Sequence, residues 1–368
     1  MFLNAVFALE ILELSLQREL EHSIKNGLSW LMTQQEENGS WNNHPGITGL
    51  TVTAFLRSHR SVTDEHPIVN KGIKYILSCV KPDGSIYTDD MPCYNTSICM
   101  MALKATENPK YNEILENASK FLIKSQLDED EGYTLDSLYY GGEGYSGEDR
   151  PDLSNLQWTL EALWEQEKIT DKVNPTPAEQ KDLIPKKVYF EKAIIFLQRC
   201  QNLRKYNDQP YASDDGGFMY RPGESKAEGT TSYGSMTYAG LKSFIYADLA
   251  PNDPRVKAAY DWIRGHYTVE ENPILGKMGL FYYYLTMAKA LNVIGGSEIE
   301  DLSQVKHNWR HDIVNKLISI QNEEGWWQNE VGRWWENNRV LVTTYCILTL
   351  EESGNIQASG KRSLIIEH

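Results

Sequence analysis

Gln35-Glu-Glu-Asn-Gly39-Ser-Trp41 and Gln321-Asn-Glu-Glu-Gly325-Trp-Trp327 spell one pattern, Gln-x-x-x-Gly-x-Trp, near opposite ends of a 368-residue chain. Self-similarity of this kind is the mark of a repeat architecture, and the intervening sequence carries further copies. The segment from Gly72, GIKYILSCVKPDGSI, repeats the Gly, the aromatic residue, the apolar pair and the Asn/Asp-Gly-Ser turn at the offsets found from Gly27. Weaker openings begin at Ala118, Ala193, Ala259 and Val314, which makes six starts.

Each start carries apolar residues at helical spacing, as in Leu28, Leu31 and Met32 or Ile73, Ile76 and Leu77. A polar or Gly-rich loop follows, and then a second run that is apolar nearly all round, such as GLTVTAFL at 49–56 and VLVTTYCILTL at 340–350. An amphipathic helix belongs on an outer surface, whereas a helix apolar on all sides is packed on all sides. Six hairpins of this kind predict an all-α (α/α)6 toroid, with six inner and six outer helices. A single domain over 1–368 is expected: an N-terminal helix over about 5–25, repeats over about 26–352 and a short tail. The Pro- and charge-rich stretch 170–187 reads as an excursion between repeats.

Composition narrows the function. The chain has 36 Lys and Arg against 51 Asp and Glu, a net charge of −15, which repels nucleic-acid backbones and anionic membranes as partners. No stretch approaches the roughly 20 apolar residues of a transmembrane helix. No basic segment precedes the apolar Phe2–Leu9, so no signal peptide is visible and a cytoplasmic location is expected. A secreted or envelope protein would require that such a segment had been removed. Five scattered cysteines form no metal-ligand spacing, and neither a metal nor a cofactor is expected. The aromatic content is high, with 10 Trp, 21 Tyr and 9 Phe, and such rings fill a core or line a cavity.

The Gln-x-x-x-Gly-x-Trp pattern resembles the QW motif of squalene/oxidosqualene cyclases, with related repeats in the protein prenyltransferase β-subunit. The resemblance spans residues 20–350 and implies the toroid, an isoprenoid-handling function and a central cavity. In class II cyclases an Asp-x-Asp-Asp sequence opens an inner helix and its middle Asp donates the proton. The matching stretch here is Asp152-Leu-Ser154-Asn155, so Ser154 stands at the donor's place. A hydroxyl is too weak an acid to protonate an alkene, a step that needs a carboxylic acid held neutral. The zinc site of the prenyltransferases would fall on Met278, Leu280 and Val342, none of which can supply it.

In a closed toroid the loops entering the inner helices gather around one mouth. The candidates there are His44, Tyr145, Asp149, Arg150, Asp152, Asn155, Asp215, Tyr220, Tyr233, Tyr238, Tyr283, Trp334, Trp335 and Arg339. Asp152 and Asp215 are the candidate acids and the others candidate ligand contacts. Aromatic faces stabilise carbocations and also stack on sugars. Three readings therefore stay open: an isoprenoid-binding, acid-initiated cyclase whose acid is displaced to Asp152 or Asp215; a carbohydrate hydrolase or lyase with two carboxylates; and a non-catalytic binding or scaffold protein. The partner is a small molecule, an isoprenoid or an oligosaccharide, and the oligomeric state is left open.

Overall fold

A computed structural model describes residues 12–58, 62–145, 150–167 and 177–354. Its helices pair in chain order. The outer member comes first in each pair: α1 (Leu14–Thr33) with α2 (Pro45–Ser58), α3 (Pro67–Ser78) with α4 (Pro92–Ala105), and α5 (Asn112–Lys124) with α6 (Leu153–Glu167). The second half adds α7 (Pro177–Cys200) with α8 (Gly234–Tyr246), α9 (Pro254–His266) with α10 (Leu280–Ile294), and α11 (Trp309–Ser319) with α12 (Arg339–Ser353). Two three-residue strands, β1 (Glu298–Glu300) and β2 (Lys306–Asn308), pair antiparallel before α11, with Ile299 opposite His307.

The inner helices pack α2 on α4, then α6, α8, α10 and α12, and α12 returns to α2. The ring is closed. Burial follows the division that the sequence predicts. Outer helix α3 buries Val69, Gly72, Ile73 and Ile76, one stripe at helical spacing, and α5 buries Leu115, Ala118, Ser119 and Leu122. Inner helix α8 is buried at every residue.

The repeated motif is the joint between neighbouring hairpins. Gln35 donates its side-chain amide to the Gly39 carbonyl at 3.0 Å and to the Ile68 carbonyl of the next outer helix at 2.9 Å. Trp41 donates its indole N–H back to the Leu31 carbonyl at 2.8 Å, satisfying the end of α1. Gln321 and Trp327 repeat both bonds, with Gln321 reaching Ser23 of α1. Gln126 and Gln201 do the same in repeats whose Trp is lost, each bonding its own loop glycine and the following outer helix. The glycine is required. Gly39 has φ +90°, and a Cβ on it would lie 2.4 Å from the Lys71 carbonyl oxygen. Two residues beyond the glycine stand Trp41, Phe218 and Trp327, but in the third repeat the place is taken by Glu143.

Two boundaries differ from expectation. The described part of the helix expected over about 5–25 runs on without a break into the first repeat helix as one outer helix, α1, while residues 5–11 lie outside the described residues. Of the stretch 170–187, residues 177–187 belong to α7 and residues 170–176 lie outside the described residues; Pro177 fits the first turn of the helix, where no intrahelical N–H bond is needed, and Pro185 stands inside it.

Candidate functional site

A cavity of about 290 Å³ opens at the N-terminal ends of the inner helices. Every inner helix contributes to its wall from its first turns: Ile47 from α2, Tyr94 from α4, Ser154 from α6, Met236 from α8, Tyr282 from α10, and Leu341 and Tyr345 from α12. The loops add Tyr145, Tyr220 and Tyr233, with His44, Trp334, Trp335, Lys226 and Glu336. Six tyrosines therefore surround the space. Their rings support one another: Tyr94 lies 6.2 Å from Tyr145, and Tyr282 lies 6.2 Å from Tyr345. The Tyr282 hydroxyl meets Ser154 Oγ at 3.3 Å.

Below this wall Trp158 packs edge-on to Tyr94, with ring centres 6.4 Å apart. Beyond Trp158 lies a buried ionic layer. Glu161 on α6 accepts from Lys242 on α8 at 2.5 Å and from Lys289 on α10 at 2.6 Å, and both ammonium groups lie about 5 Å from the Trp158 ring, at 5.3 and 4.8 Å. Burial pushes Lys242 down to about 8. Cations here also face the C-terminal halves of the inner helices, where the helix dipole favours them.

Of the candidate residues, His44, Tyr145, Tyr220, Tyr233, Trp334 and Trp335 line the cavity. His44 packs edge-on to Trp335 at 5.6 Å, and burial lowers its pKa. Its Nδ1 accepts from the Ile47 N–H, while Nε2 is buried without a partner. The other candidates stand elsewhere. Asp149 lies outside the described residues. Arg150 is exposed. Arg339 points outward, bonding Gln328 at 3.0 Å and stacking on Trp326. Tyr238 and Tyr283 pack on each other inside the wall, and Tyr283 donates to the Thr268 carbonyl at 2.6 Å. A helix turns about 100° per residue, and of the three successive tyrosines it is Tyr282 that faces the cavity.

Neither expected acid is on the wall. Asp215 is exposed and accepts from Gly217 N at 2.9 Å and Ser232 Oγ at 2.8 Å. That is the turn role of Asn38 and Asp83 in the first two repeats. Asp152 is buried, but it caps α6: Oδ1 accepts from Asn155 N and Oδ2 from Asn155 Nδ2, both at 2.9 Å. Asn155 is spent on the same contact. Burial pushes Asp152 up to about 6, and its carboxyl holds the Tyr220 hydroxyl, so it acts behind the wall.

The acid on the wall stands in the same aromatic loop as Trp334 and Trp335 and is neither of the two candidate acids. Glu336, only 1% exposed, is the one carboxyl group lining the cavity among the described residues. Its Oε1 accepts from Tyr282 N at 2.8 Å and its Oε2 from Asn329 Nδ2 at 2.6 Å, which seats it at the N-terminus of α10. Burial pushes it up to about 7 despite these donors. It follows two consecutive residues with left-handed backbone, Trp334 at φ 56° and Trp335 at φ 65°.

No protein-family model matches the chain, and no curated protein matches it in sequence. Solved structures match it in fold. A variant of type II terpene cyclase MstE from Scytonema, in its apo form, superposes with a TM-score of 0.55 at 12% identity, covering 93% of this chain and 99% of that one. Another MstE variant, in complex with geranylgeranyl dihydroxybenzoate as substrate, gives 0.54 at 12% identity with the same coverage. An unsaturated glucuronyl hydrolase specific for heparin gives 0.55 at 11% identity, covering 92% and 97%. At such identities the likeness is one of architecture, and it runs the length of both chains: this chain has the all-α toroid of the terpenoid-cyclase fold.

Proposed function

We propose that the cavity binds an isoprenoid, or a comparable unsaturated apolar chain, and that the protein is a terpene-cyclase-like enzyme initiated by an acid. The observation that carries this reading is the wall itself: six tyrosines and two tryptophans around one cavity, with a single carboxyl group among them. Apolar burial drives such a ligand in, and the ring faces offer negative charge to any cation formed there. The structural neighbour named as a terpene cyclase was solved with a geranylgeranyl compound. Hydrolysis of a glycosidic bond calls for a second carboxyl group across the pocket from the first, and the described wall offers none.

The test is equilibrium binding followed by intrinsic tryptophan fluorescence, with farnesol and geranylgeraniol compared with neutral and uronic-acid oligosaccharides. Binding of the polyprenols with quenching of the mouth tryptophans supports the proposal. Binding of the oligosaccharides alone would transfer the site to carbohydrate chemistry.

A further inference from the structure

We propose that Glu336 is the proton donor of this cavity, replacing from the last repeat the acid that is absent at Ser154. The inference rests on the cyclase reading and adds to it the group that starts the reaction.

Three observations converge on Glu336. Ser154 does face the cavity, so the inner-helix position that would present an acid presents a hydroxyl bonded to Tyr282. Glu336 is placed against that same tyrosine at its backbone, its carboxyl accepting from the Tyr282 N–H. No ion pair holds Glu336 among the described residues; its neighbours include Tyr284, Tyr345 and Cys346. A carboxyl group buried without a cation keeps its proton near neutrality. Two donors and the positive end of α10 stand ready to stabilise the anion once the proton has left, which makes the same group an effective acid.

The backbone before it is arranged for this placement. Left-handed conformation at two successive tryptophans is disfavoured for side chains of that size and persists where surrounding contacts impose it. Here it sets Trp334 over Gly279 and Trp335 against His44, and directs Glu336 inward between them. Both tryptophans stay about half exposed at the mouth, while the next residue is buried.

The step balances. The O–H bond of Glu336 breaks as the π pair of a trisubstituted alkene forms a new C–H bond, leaving a tertiary carbocation on the ligand and a carboxylate on the protein. The next double bond supplies its π pair to close a ring and carries the cation along the chain beside the tyrosine faces. A proton lost from carbon to solvent at the mouth restores an alkene, and solvent reprotonates Glu336. The product is an isomer of the ligand, and no other reactant is consumed.

The experiment uses the full chain with geranylgeraniol in deuterated water. The expected product has the ligand's carbon skeleton cyclised and carries deuterium at the protonated carbon. Glu336→Gln should bind geranylgeraniol with unchanged affinity and turn over at least about 100-fold more slowly. A second measurement needs no variant: dicyclohexylcarbodiimide, an apolar reagent for protonated carboxyl groups, should modify Glu336, and bound geranylgeraniol should block it. Absence of label at Glu336 near pH 6, turnover unchanged in Glu336→Gln, or binding without turnover by the unsubstituted chain each overturns the assignment while leaving the binding reading intact. Failure of the unsubstituted chain to bind polyprenols overturns both.

Discussion

Ser23 and Gln321, 298 residues apart in sequence, exchange two hydrogen bonds: the Ser23 hydroxyl donates to Gln321 Oε1 at 2.8 Å and the Gln321 amide donates to the Ser23 carbonyl at 3.0 Å. They fasten the last repeat to the first outer helix. The other motif glutamines make the corresponding bonds between repeats adjacent in sequence, whereas this one closes the ring.

Gln321→Ala should therefore lower stability by about 1–3 kcal/mol, since it leaves backbone carbonyls at the seam without their donor. Gly325→Ala should cost more than about 1 kcal/mol, because φ is +99° and the new Cβ would meet the Asn26 carbonyl oxygen at 2.5 Å. Urea unfolding of both variants checks this. If the seam contributes nothing, Gln321→Ala will unfold with the midpoint of the unsubstituted protein.

Tyr282 and Tyr283 are neighbours with different work. Tyr282→Leu removes a ring from the cavity wall and should weaken polyprenol binding with little change in stability. Tyr283→Phe removes a buried donor to the Thr268 carbonyl and should cost about 1 kcal/mol of stability with binding unchanged. Fluorescence titration and urea unfolding on the same two variants separate the effects. The reverse assignment would mean that α10 is rotated from the orientation described.

The contrast marks how far this fold can be read from residues. The hairpins were legible because each repeat writes its own punctuation: Gln, then a glycine in left-handed conformation, then a large ring, with the outer stripe before them and the all-apolar inner run after. Rotation about a helix axis was not legible at Tyr282–Tyr284, where three identical side chains erase the periodicity that would orient α10. The turn role of Asp215 was signalled by Asn38 and Asp83 at the same place in earlier repeats. For Glu336 the signal was a lone acid within an aromatic loop, WWENN. Its burial, however, depends on left-handed backbone at Trp334 and Trp335, which no local propensity favours.

Glu143 gives a pH prediction. It occupies the motif position of Trp41 and Trp327, is fully buried, and accepts from the Tyr189 hydroxyl of α7. Burial pushes it up to about 7, as it does Glu336, with Asp152 at about 6. The folded state thus holds these protons more tightly than the unfolded chain, where such groups titrate near 4. Their contribution is complete below about pH 4 and is lost as pH rises through 6 and 7, so stability should fall between pH 5 and pH 8. His44, with its lowered pKa, acts in the opposite direction over the acid part of that window. Glu143→Gln isolates one carboxyl: its stability relative to the unsubstituted protein should improve steadily from pH 5 to pH 8. A difference independent of pH would mean that Glu143 is ionised throughout.

Glu161 is the opposite case, a buried carboxylate that two lysines keep charged. Lys242 and Lys289 hold its pKa down to about 2 against the burial that would raise it. Removing one member of such a group leaves uncompensated charge in the interior, and Glu161→Ala should cost about 3–5 kcal/mol at pH 7. The loss should shrink with rising pH. An ammonium whose folded pKa is depressed binds its proton less tightly than in the unfolded chain, so stability is regained between the folded value and about 10.4. Lys242 already stands at about 8 with Glu161 present, and loss of the carboxylate lowers it further. Replacing all three residues by methionine removes every charge while filling the space, and should restore stability to near that of the unsubstituted protein. If the triple variant is as unstable as Glu161→Ala, the ionic layer contributes to stability in its own right, beyond avoiding an unpaired charge beneath Trp158.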